Sequence, residues 1–190
     1  AMGTNDEVGG AGDQGMMFGY AVNDTKELLP TAMVILQRFS KWYDKERSKC
    51  SYLRSDGKAE ITGYYDDKMK LKKIKYFTIS YQNDEKHRDY TDNLIKEACI
   101  NICKDYDIEI EEFLINPTGK FEIGGFKGDA GLTGRKIVVD SYQSFAKVGG
   151  GAFSGKDPTK VDRSAAYKAR EIAKDYLTKY NLSWCEVVIS

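Results

Sequence analysis

The sequence lacks an excess of charge of either sign, and it lacks a long apolar run. Its 29 Lys and Arg residues balance 29 Asp and Glu residues over 190 positions. Binding to nucleic acid depends on an excess of cations, so nucleic acid is not an expected partner. No apolar stretch approaches the roughly 18 residues of a membrane-spanning helix, and no signal-peptide pattern opens the sequence. We therefore expect a cytoplasmic protein that does not enter a membrane.

Side chains that bind metals or act as general bases are also scarce, with one histidine and four cysteines. Cys99 and Cys103 lie one helical turn apart, but a zinc site would need two further ligands, and His87 is the only histidine. We expect the cysteines to be small buried residues in a reducing compartment. His87 lies in a polar run, residues 83–88, and we expect a solvated loop residue rather than a general base.

Glycine is plentiful but unevenly distributed. Six of the 18 glycines lie within residues 1–20, ten lie within residues 119–155, and only Gly57 and Gly63 fall between these regions. In the segment GAGDQG at residues 10–15 a carboxylate stands between glycines, which let the backbone approach a ligand closely. Such a carboxylate can hold an amine, a ribose hydroxyl or a metal, although the same residues also fit a plain turn.

Hydrophobic periodicity predicts an α+β fold with mixed and antiparallel sheets and helices packed on one face. Helices are predicted at residues 29–43, at residues 90–103, and from an N-cap at Asp157 with Pro158 in the first helical position. Strands are predicted at residues 59–65 and 71–81, which form an antiparallel hairpin, and at residues 111–115, 136–142 and 184–190. On the second hairpin strand, lysines 70, 72, 73 and 75 are expected to line a solvated face or protect an edge.

Charged residues gather in the second glycine-rich region. Between residues 119 and 163 they include Arg135, Lys136, Lys156, Lys160 and Arg163, together with Asp129, Asp140, Asp157 and Asp162. Cations on loops rather than along a helix face favour a compact polyanion such as a polyphosphate, and aspartates can supply oxygen ligands for an accompanying Mg²⁺. A set of solvated surface charges is the alternative, and composition does not decide between the two.

Residues 150–156 also fit the GxxxxGK pattern of a P-loop, whose backbone amides hold phosphate. The next residue is Asp157, where a P-loop has the Ser or Thr that binds Mg²⁺, and the segment does not directly follow a strand. We therefore do not expect a P-loop NTPase.

Longer motifs carry a family resemblance. The segments GAGDQGMMFGYA at residues 10–21, GDAGLTGRK at residues 128–136 and GGGAFSGKDPTKVD at residues 149–162 closely resemble S-adenosylmethionine synthetase (methionine adenosyltransferase), as do LRSDGK at residues 53–58 and NPTGKF at residues 116–121. The resemblance covers nearly the whole chain but only about the middle half of a family member. It implies the repeated βαβ-type domains of that family.

The resemblance also implies a reaction. The sulfur of L-methionine attacks C5′ of ATP, and the intact triphosphate leaves and is then hydrolysed to diphosphate and phosphate, with Mg²⁺ and K⁺ assisting. No covalent enzyme intermediate is needed, so catalysis consists of aligning sulfur with carbon and stabilising the departing charge.

Site residues follow from the resemblance position by position. The residues implied to be catalytic are Lys156, Arg135, Lys136 and Asp129. Those implied to bind ATP are Asp56, Gly57, Lys58, Lys120, Phe121, Asp129, Arg135, Lys136, Ala152 and Lys156, the first three across a subunit interface. Those implied to bind methionine are Asp129, Lys160 and Asp13, and Asp162 is an implied Mg²⁺ ligand.

The chain departs from the family pattern at several positions. Lys120 replaces an arginine, Ser55 replaces a proline, Val148 and Asn83 replace histidines, and Lys75 replaces a common acidic residue. The family's N-terminal His-Pro-Asp-Lys segment, with its catalytic histidine, is not among these 190 residues.

These departures shape the expected function. We expect the 190 residues alone to make no S-adenosylmethionine, and the intact enzyme to be a homodimer or homotetramer with shared active sites. The expected domains are a glycine-rich entry segment (residues 1–20), a central domain (residues 21–125) and the start of a C-terminal domain (residues 126–190). The alternative is a non-catalytic nucleotide-binding or subunit-interaction module derived from the same family.

Overall fold

The computed structural model describes residues 4–5, 10–11 and 13–190, so Gly12 of the first glycine motif lies outside the described residues. Within them the helices are α1 (Thr31–Arg47), α2 (Arg88–Lys104), α3 (Ile137–Asp140) and α4 (Val161–Lys179). The strands are β1 (Thr4–Asn5), β2 (Gly10–Ala11), β3 (Met17–Val22), β4 (Leu53–Tyr65), β5 (Leu71–Asn83), β6 (Ile110–Ile115) and β7 (Trp184–Ile189). This mixture confirms the predicted α+β class.

The chain divides into two compact units. Residues 31–130 form one, here the central unit, and residues 1–30 together with 131–190 form the other, here the terminal unit. The terminal unit therefore combines the first glycine-rich region with residues 131–155 of the second. The domain boundaries expected from the sequence remain a prediction.

The central unit contains a three-stranded sheet in the order β4-β5-β6. Strands β4 and β5 pair antiparallel, which confirms the predicted hairpin, although both strands are longer than predicted. Strand β6 runs parallel to β5, with Phe77 opposite Phe113. The parallel pair needs a long crossover connection, and helix α2 supplies it, so β5, α2 and β6 form a βαβ unit.

Large side chains fill the core of the central unit, on one face of the sheet. The Phe39 ring of α1 packs edge-on against Phe77 of β5, with 5.8 Å between the ring centroids. Four residues further along β5, the Tyr81 hydroxyl donates a hydrogen bond to the Asp92 carboxylate of α2 at 2.6 Å. Since alternate residues of a strand point to the same face, α1 and α2 both cover this face of the sheet.

The terminal unit has a two-stranded antiparallel sheet, β3 with β7, covered by α4. Its buried cluster is made of Ala21, Ala173 and Leu177, with Leu28, Cys185 and Val187 packed beside them. Helix α4 buries only alanines and one leucine, which are Ala166, Ala169, Ala173 and Leu177. A Cβ atom on Gly19 of β3 would lie 2.0 Å from the carbonyl carbon of Ala169, so the strand and the helix backbone are in direct contact.

Arg170 of α4 supports this close packing through its side chain. Its guanidinium donates to the carbonyl oxygens of Glu27 at 2.7 Å, Leu28 at 3.1 Å and Tyr20. Burial lowers the pKa of this guanidinium. The arginine thus satisfies one carbonyl of β3 and two of the segment that follows it, which explains why a half-buried charge is tolerated here.

Two local predictions are wrong. Residues 136–142 do not form a strand: they contain the short helix α3 and the start of a turn. Helix α4 begins at Val161, with Lys160 in the N-cap position, rather than after Asp157. The Asp157 carboxylate instead accepts hydrogen bonds from the Thr159 backbone at 2.9 Å and from its hydroxyl, closing a turn ahead of the helix. These bonds lower the pKa of the Asp157 carboxyl.

Predictions for single side chains agree with the structure more often than these two predictions of secondary structure. Cys99 and Cys103 are buried, as expected, while Cys50 and Cys185 are only partly buried. The lysines of β5 contact neighbouring carboxylates, with Lys73 3.0 Å from Glu111 and Lys72 3.0 Å from Asp66. His87 is not fully solvated, because its ring stacks on Tyr52 at 3.6 Å. Across the described part of the chain, no helix combines the length and apolar character needed to cross a membrane.

Candidate functional site

The glycine-rich loop before α4 contains a close lysine–aspartate pair. Lys156 Nζ lies 2.6 Å from Asp162 Oδ2, and both side chains are about 70% buried, with 30% and 27% of their side-chain surface exposed. A Cβ atom on Gly151 would lie 2.1 Å from the Asp162 carboxyl carbon. Only glycine at position 151 therefore leaves room for this carboxylate, and the predicted triphosphate and Mg²⁺ residues are brought together.

A second glycine contact closes the same loop onto β3. A Cβ atom on Gly149 would lie 2.2 Å from the carbonyl oxygen of Met16, and one on Gly15 would lie 3.5 Å from Asp162 Oδ1. The end of the GAGDQG motif and the start of the GGGAFSGK motif therefore approach each other. This arrangement explains why glycine is crowded at two distant places in the sequence.

Helix α4 holds the loop through Arg163. Its guanidinium donates to the Lys156 carbonyl oxygen and, through Nε, to the Tyr167 hydroxyl at 2.8 Å. The Lys156 backbone N–H donates to the Phe153 carbonyl at 3.3 Å, which makes a tight turn before the lysine. The backbone N–H and carbonyl of Lys156 are thus both hydrogen-bonded, whereas its ammonium group forms the ion pair with Asp162.

Two further predicted residues lie in the preceding turn of the terminal unit. Arg135 and Lys136 are exposed, immediately before α3. Gly134 has φ +82°, and a Cβ atom there would lie 2.9 Å from the Ala152 Cβ. The turn that carries both cations therefore packs against the loop that leads to Lys156. Positive φ explains the glycine at this position.

A small pocket opens beside the ion pair. It has a volume of about 20 Å³ and is lined by residues that include Met17, Val148, Phe153 and Asp162. This is room for about one water molecule. Val148 adds an apolar wall to this pocket.

Two further predicted residues of the terminal unit, Asp13 and Lys160, do not take part in the hydrogen bonds given above. Asp13 is exposed, and its carboxylate accepts the Gln14 N–H at 2.8 Å. Lys160 is exposed, and its carbonyl accepts hydrogen bonds from the backbone of Arg163 and Ser164 at the start of α4.

The central unit brings together a separate group of predicted residues at one end of its sheet. Asp56 Oδ2 accepts the Gly125 N–H at 2.8 Å, and the Phe121 carbonyl accepts the Asn83 N–H at 3.0 Å. Gln82 Nε2 donates to the Glu122 carbonyl at 3.0 Å. Residues 121–125 therefore run along the ends of β4 and β5, with the Phe121 side chain partly exposed.

The other predicted ATP residues of this unit lie near the same sheet end. Gly57 and Lys58 are exposed on β4, opposite Tyr81 and Ser80 of β5. Lys120 is exposed just before Phe121. Asp129 is exposed, and its backbone N–H closes a turn onto the Gly125 carbonyl at 3.0 Å.

Asn83, at the end of β5, is a buried polar residue. It is 0% exposed, and its two side-chain polar atoms have no hydrogen-bond partner among the described residues. Buried polar atoms without partners cost free energy, so this amide weakens the central unit rather than holding it together.

Asp162 is the carboxylate of this cluster that could bind a metal ion. Within the described part of the chain, no three His, Cys, Asp or Glu side chains are grouped as metal ligands. Mg²⁺ commonly binds one or two carboxylates together with substrate phosphates. A single carboxylate at Asp162, beside a lysine, fits Mg²⁺ that arrives on a polyphosphate.

Sequence reasoning missed two contributors to these clusters. Arg163 was counted among the cations of the loop, but only the fold shows that it anchors the Lys156 carbonyl. Gln82 gave no signal, because its contact with Glu122 depends on how the loop returns to the sheet. Both act on main-chain atoms, which sequence patterns do not show.

An α+β protein with a lysine–aspartate pair enclosed by glycines can hold a compact anion and a cation together. Comparisons with known proteins identify the family of the chain. The sequence profile for the central domain of S-adenosylmethionine synthetase matches residues 8–121, and the profile for its C-terminal domain matches residues 123–190. The chain therefore belongs to the S-adenosylmethionine synthetase family, as the sequence motifs indicate.

Individual relatives agree. The S-adenosylmethionine synthase of Crocosphaera subtropica is 45% identical over 97% of this chain and 48% of its own length. Those of Synechocystis sp. and Acaryochloris marina are each 44% identical over 95% of this chain and 46% of their own length. The chain thus spans about half the length of these relatives.

Proposed function

We propose that this chain supplies the ATP-holding part of an S-adenosylmethionine synthetase, which converts ATP, L-methionine and water into S-adenosylmethionine, phosphate and diphosphate. In this reaction the bond from sulfur to C5′ forms as the bond from C5′ to the triphosphate oxygen breaks. The observation that carries the proposal is the Lys156–Asp162 pair, held in a glycine-lined loop of the terminal unit. The family relationship supports the same function.

The charges of the terminal unit fit the leaving group. A departing triphosphate develops negative charge, and fixed cations stabilise this charge more strongly the closer they lie to it. Lys156, Arg135 and Lys136 would hold the phosphates, with Ala152 beside them. Mg²⁺ would be held by Asp162 and phosphate oxygens and would neutralise part of the phosphate charge. K⁺ is proposed as a second cofactor from the family relationship, with no described residue assigned to it.

The remaining proposed contacts concern the nucleoside and the amino acid. In the central unit, Asp56, Gly57 and Lys58 would contact ATP, and Lys120 and Phe121 would lie near the adenosine. The proposed methionine contacts are Asp129, Lys160 and Asp13. The exposed position of most of these side chains suits groups that meet a ligand or a second subunit.

A homodimer or homotetramer with shared sites is part of the proposal. Phe126 is 91% exposed and Ile123 is 62% exposed, and apolar side chains that protrude to this extent favour association. Light scattering on the purified protein would measure the mass of the assembly. A monomer at micromolar concentration would contradict this part. We also propose a cytoplasmic location, which the free cysteines support because disulfides are rare in the cytosol.

The first prediction concerns turnover. In the full-length protein that contains this chain, Lys156→Ala should lower the formation of S-adenosylmethionine from ATP and L-methionine by about 100-fold or more. The 190-residue chain alone should form none. Product would be quantified by chromatography in the presence of Mg²⁺ and K⁺.

The matched control is Lys174→Ala, which removes an exposed lysine from the far part of α4 and should leave turnover unchanged. A full-length protein that binds ATP but forms no product would favour the non-catalytic module instead. Equal losses from both alanine variants would contradict the role of Lys156.

A further inference from the structure

Two successive carbonyl groups after the central sheet are held by the end of β5. The Phe121 carbonyl accepts the Asn83 N–H at 3.0 Å, and the Glu122 carbonyl accepts Gln82 Nε2 at 3.0 Å. The peptide groups on both sides of Glu122 therefore have fixed directions. The first bond comes from the main chain, whereas the second comes from a side chain and can be removed by substitution.

The Gln82 side chain is itself enclosed by the segment that it holds. It is 9% exposed, and a Cβ atom on Gly124 would lie 2.9 Å from Gln82 Oε1 and 2.9 Å from Asp56 Cβ. The backbone at Gly124 therefore lies between these two side chains. Asp56 also accepts the Gly125 N–H at 2.8 Å, so the segment is held at its far end as well.

The residues before Phe121 form an open turn. Residues 117–120 are exposed, and the Gly119 N–H closes the turn onto the Asn116 carbonyl at 3.0 Å. Gly119 has φ +107°, and a Cβ atom there would meet nothing within 4 Å among the described residues. The direction of the Phe121 side chain is therefore set mainly by the bonds that follow it.

We propose that Gln82 is a positioning residue for the nucleoside end of ATP. It fixes the main chain directly after Phe121, so that Lys120 and Phe121 are already placed to meet the adenosine. This inference rests on the proposed ATP contacts of those two residues. A binding segment that is ordered in advance does not have to be ordered by the ligand, which raises affinity.

The proposal separates two ligands that share a triphosphate. Loss of the Gln82 donor should weaken the binding of ATP but not that of inorganic tripolyphosphate, which has no nucleoside. A general loss of stability would weaken both ligands. An added negative charge would repel tripolyphosphate at least as strongly as ATP. Only a role at the nucleoside end lowers the affinity for ATP alone.

The test is calorimetric titration of the full-length protein that contains this chain, with excess Mg²⁺ and the imido analogues of ATP and of tripolyphosphate, which resist hydrolysis. Gln82→Met removes the donor without adding charge. It should bind the ATP analogue roughly two- to tenfold more weakly, the range expected for one neutral hydrogen bond, and the tripolyphosphate analogue as tightly as wild type. In assays of turnover, KM for ATP should rise by the same factor while kcat stays unchanged.

The matched control is Gln37→Met, which changes an exposed glutamine on α1 of the same unit and should alter neither affinity. Gln82→Glu keeps the shape of the side chain but cannot donate from its carboxylate, so it replaces Gln82→Met if that variant does not fold. With this variant the loss for the ATP analogue should exceed the loss for the tripolyphosphate analogue.

Phe121→Ala separates failure of the inference from failure of the proposed function. If Phe121→Ala weakens the ATP analogue but the Gln82 variant does not, the inference is overturned and the proposed adenosine contact stands. A Gln82 variant that weakens both analogues equally also overturns the inference, because it shows a structural role alone. If Phe121→Ala leaves the affinity for the ATP analogue unchanged, the proposed contact and the inference both fall.

Discussion

The two units of this chain are packed in opposite ways. The central unit fills its core with large side chains, among them Phe77, Ile79 and Tyr81, each at most 1% exposed. The terminal unit places alanines of α4 directly on a strand that carries Gly19. The central unit is stabilised by large buried side chains, whereas the terminal unit is stabilised by residues small enough to let a strand and a helix touch.

This difference relates packing to the candidate site. Backbones are in close contact at Gly19 and Gly149, and Gly151 leaves space for the Asp162 carboxylate, so the loops of the terminal unit are held without large side chains. The central unit has its own cations on β5, but they lie on a regular strand and contact Asp66, Glu109 and Glu111. Lysine clustering alone therefore does not distinguish a ligand site from a solvated face.

The largest expected effect is the loss of volume in the central unit. Phe77 is 0% exposed and lies between the rings of Phe39 and Phe113. Phe77→Ala should lower the free energy of unfolding by about 3 to 5 kcal/mol, because it removes buried apolar surface and leaves a cavity. Phe77→Leu, the milder control, should cost less than about half as much. Urea titration followed by circular dichroism measures both, and equal costs would contradict a core that depends on volume.

Addition of volume should be nearly as damaging in the terminal unit. In Gly19→Ala the new methyl would lie 2.0 Å from the Ala169 carbonyl carbon, so β3 and α4 would have to separate. We expect a loss of about 3 kcal/mol in the free energy of unfolding. The control is Gly150→Ala, where a Cβ atom meets nothing within 4 Å and the cost should stay below about 0.5 kcal/mol. Thermal unfolding measures the melting temperature of each variant. Equal melting temperatures for Gly19→Ala and Gly150→Ala would rule out backbone contact as the basis of packing in this unit.

The smallest expected effect is a pH dependence of the central unit. Burial raises the pKa of the Cys103 thiol from 9.0 to about 12, and burial also raises that of Cys99. A folded-state pKa above the unfolded value gives a stabilisation that is complete below pH 9 and lost as pH rises toward 12. The stability advantage of wild type over Cys103→Ala should therefore shrink by about 2 to 3 kcal/mol between pH 8 and 11. Urea titrations at each pH measure this difference in the free energy of unfolding. A difference that stays constant between pH 8 and 11 would contradict burial of the Cys103 thiol.

Much of the fold was predictable because it rests on long periodic segments. The hairpin of β4 and β5 and helices α1 and α2 follow from alternation and helical spacing. Residues 136–142 were predicted wrongly because a short apolar run does not distinguish a strand from a helix, and here Ile137–Asp140 forms a helical turn. The start of α4 was misplaced because Asp157 has a good N-cap sequence but caps the turn at Thr159 instead.

The residues of the candidate site were assigned from the sequence and stay predictions, whereas the contacts between them could not be predicted. Glycine crowding and interleaved charges pointed to a polyanion loop, and the family motifs assigned roles within it. The pairing of Lys156 with Asp162 was not predictable, since it depends on Gly151 leaving space for the carboxylate. The same holds for Arg163, which acts on a carbonyl that no sequence motif specifies.

The central claim is that the glycine-lined loops of the terminal unit, and not the lysines of β5, bind the triphosphate. Amide chemical shifts recorded during titration of the isotope-labelled protein with tripolyphosphate and Mg²⁺ test it most directly. We predict saturable shifts concentrated in residues 131–136 and 149–163, with little change in residues 70–75. Shifts spread evenly over both lysine-rich regions, or confined to residues 70–75, would contradict it.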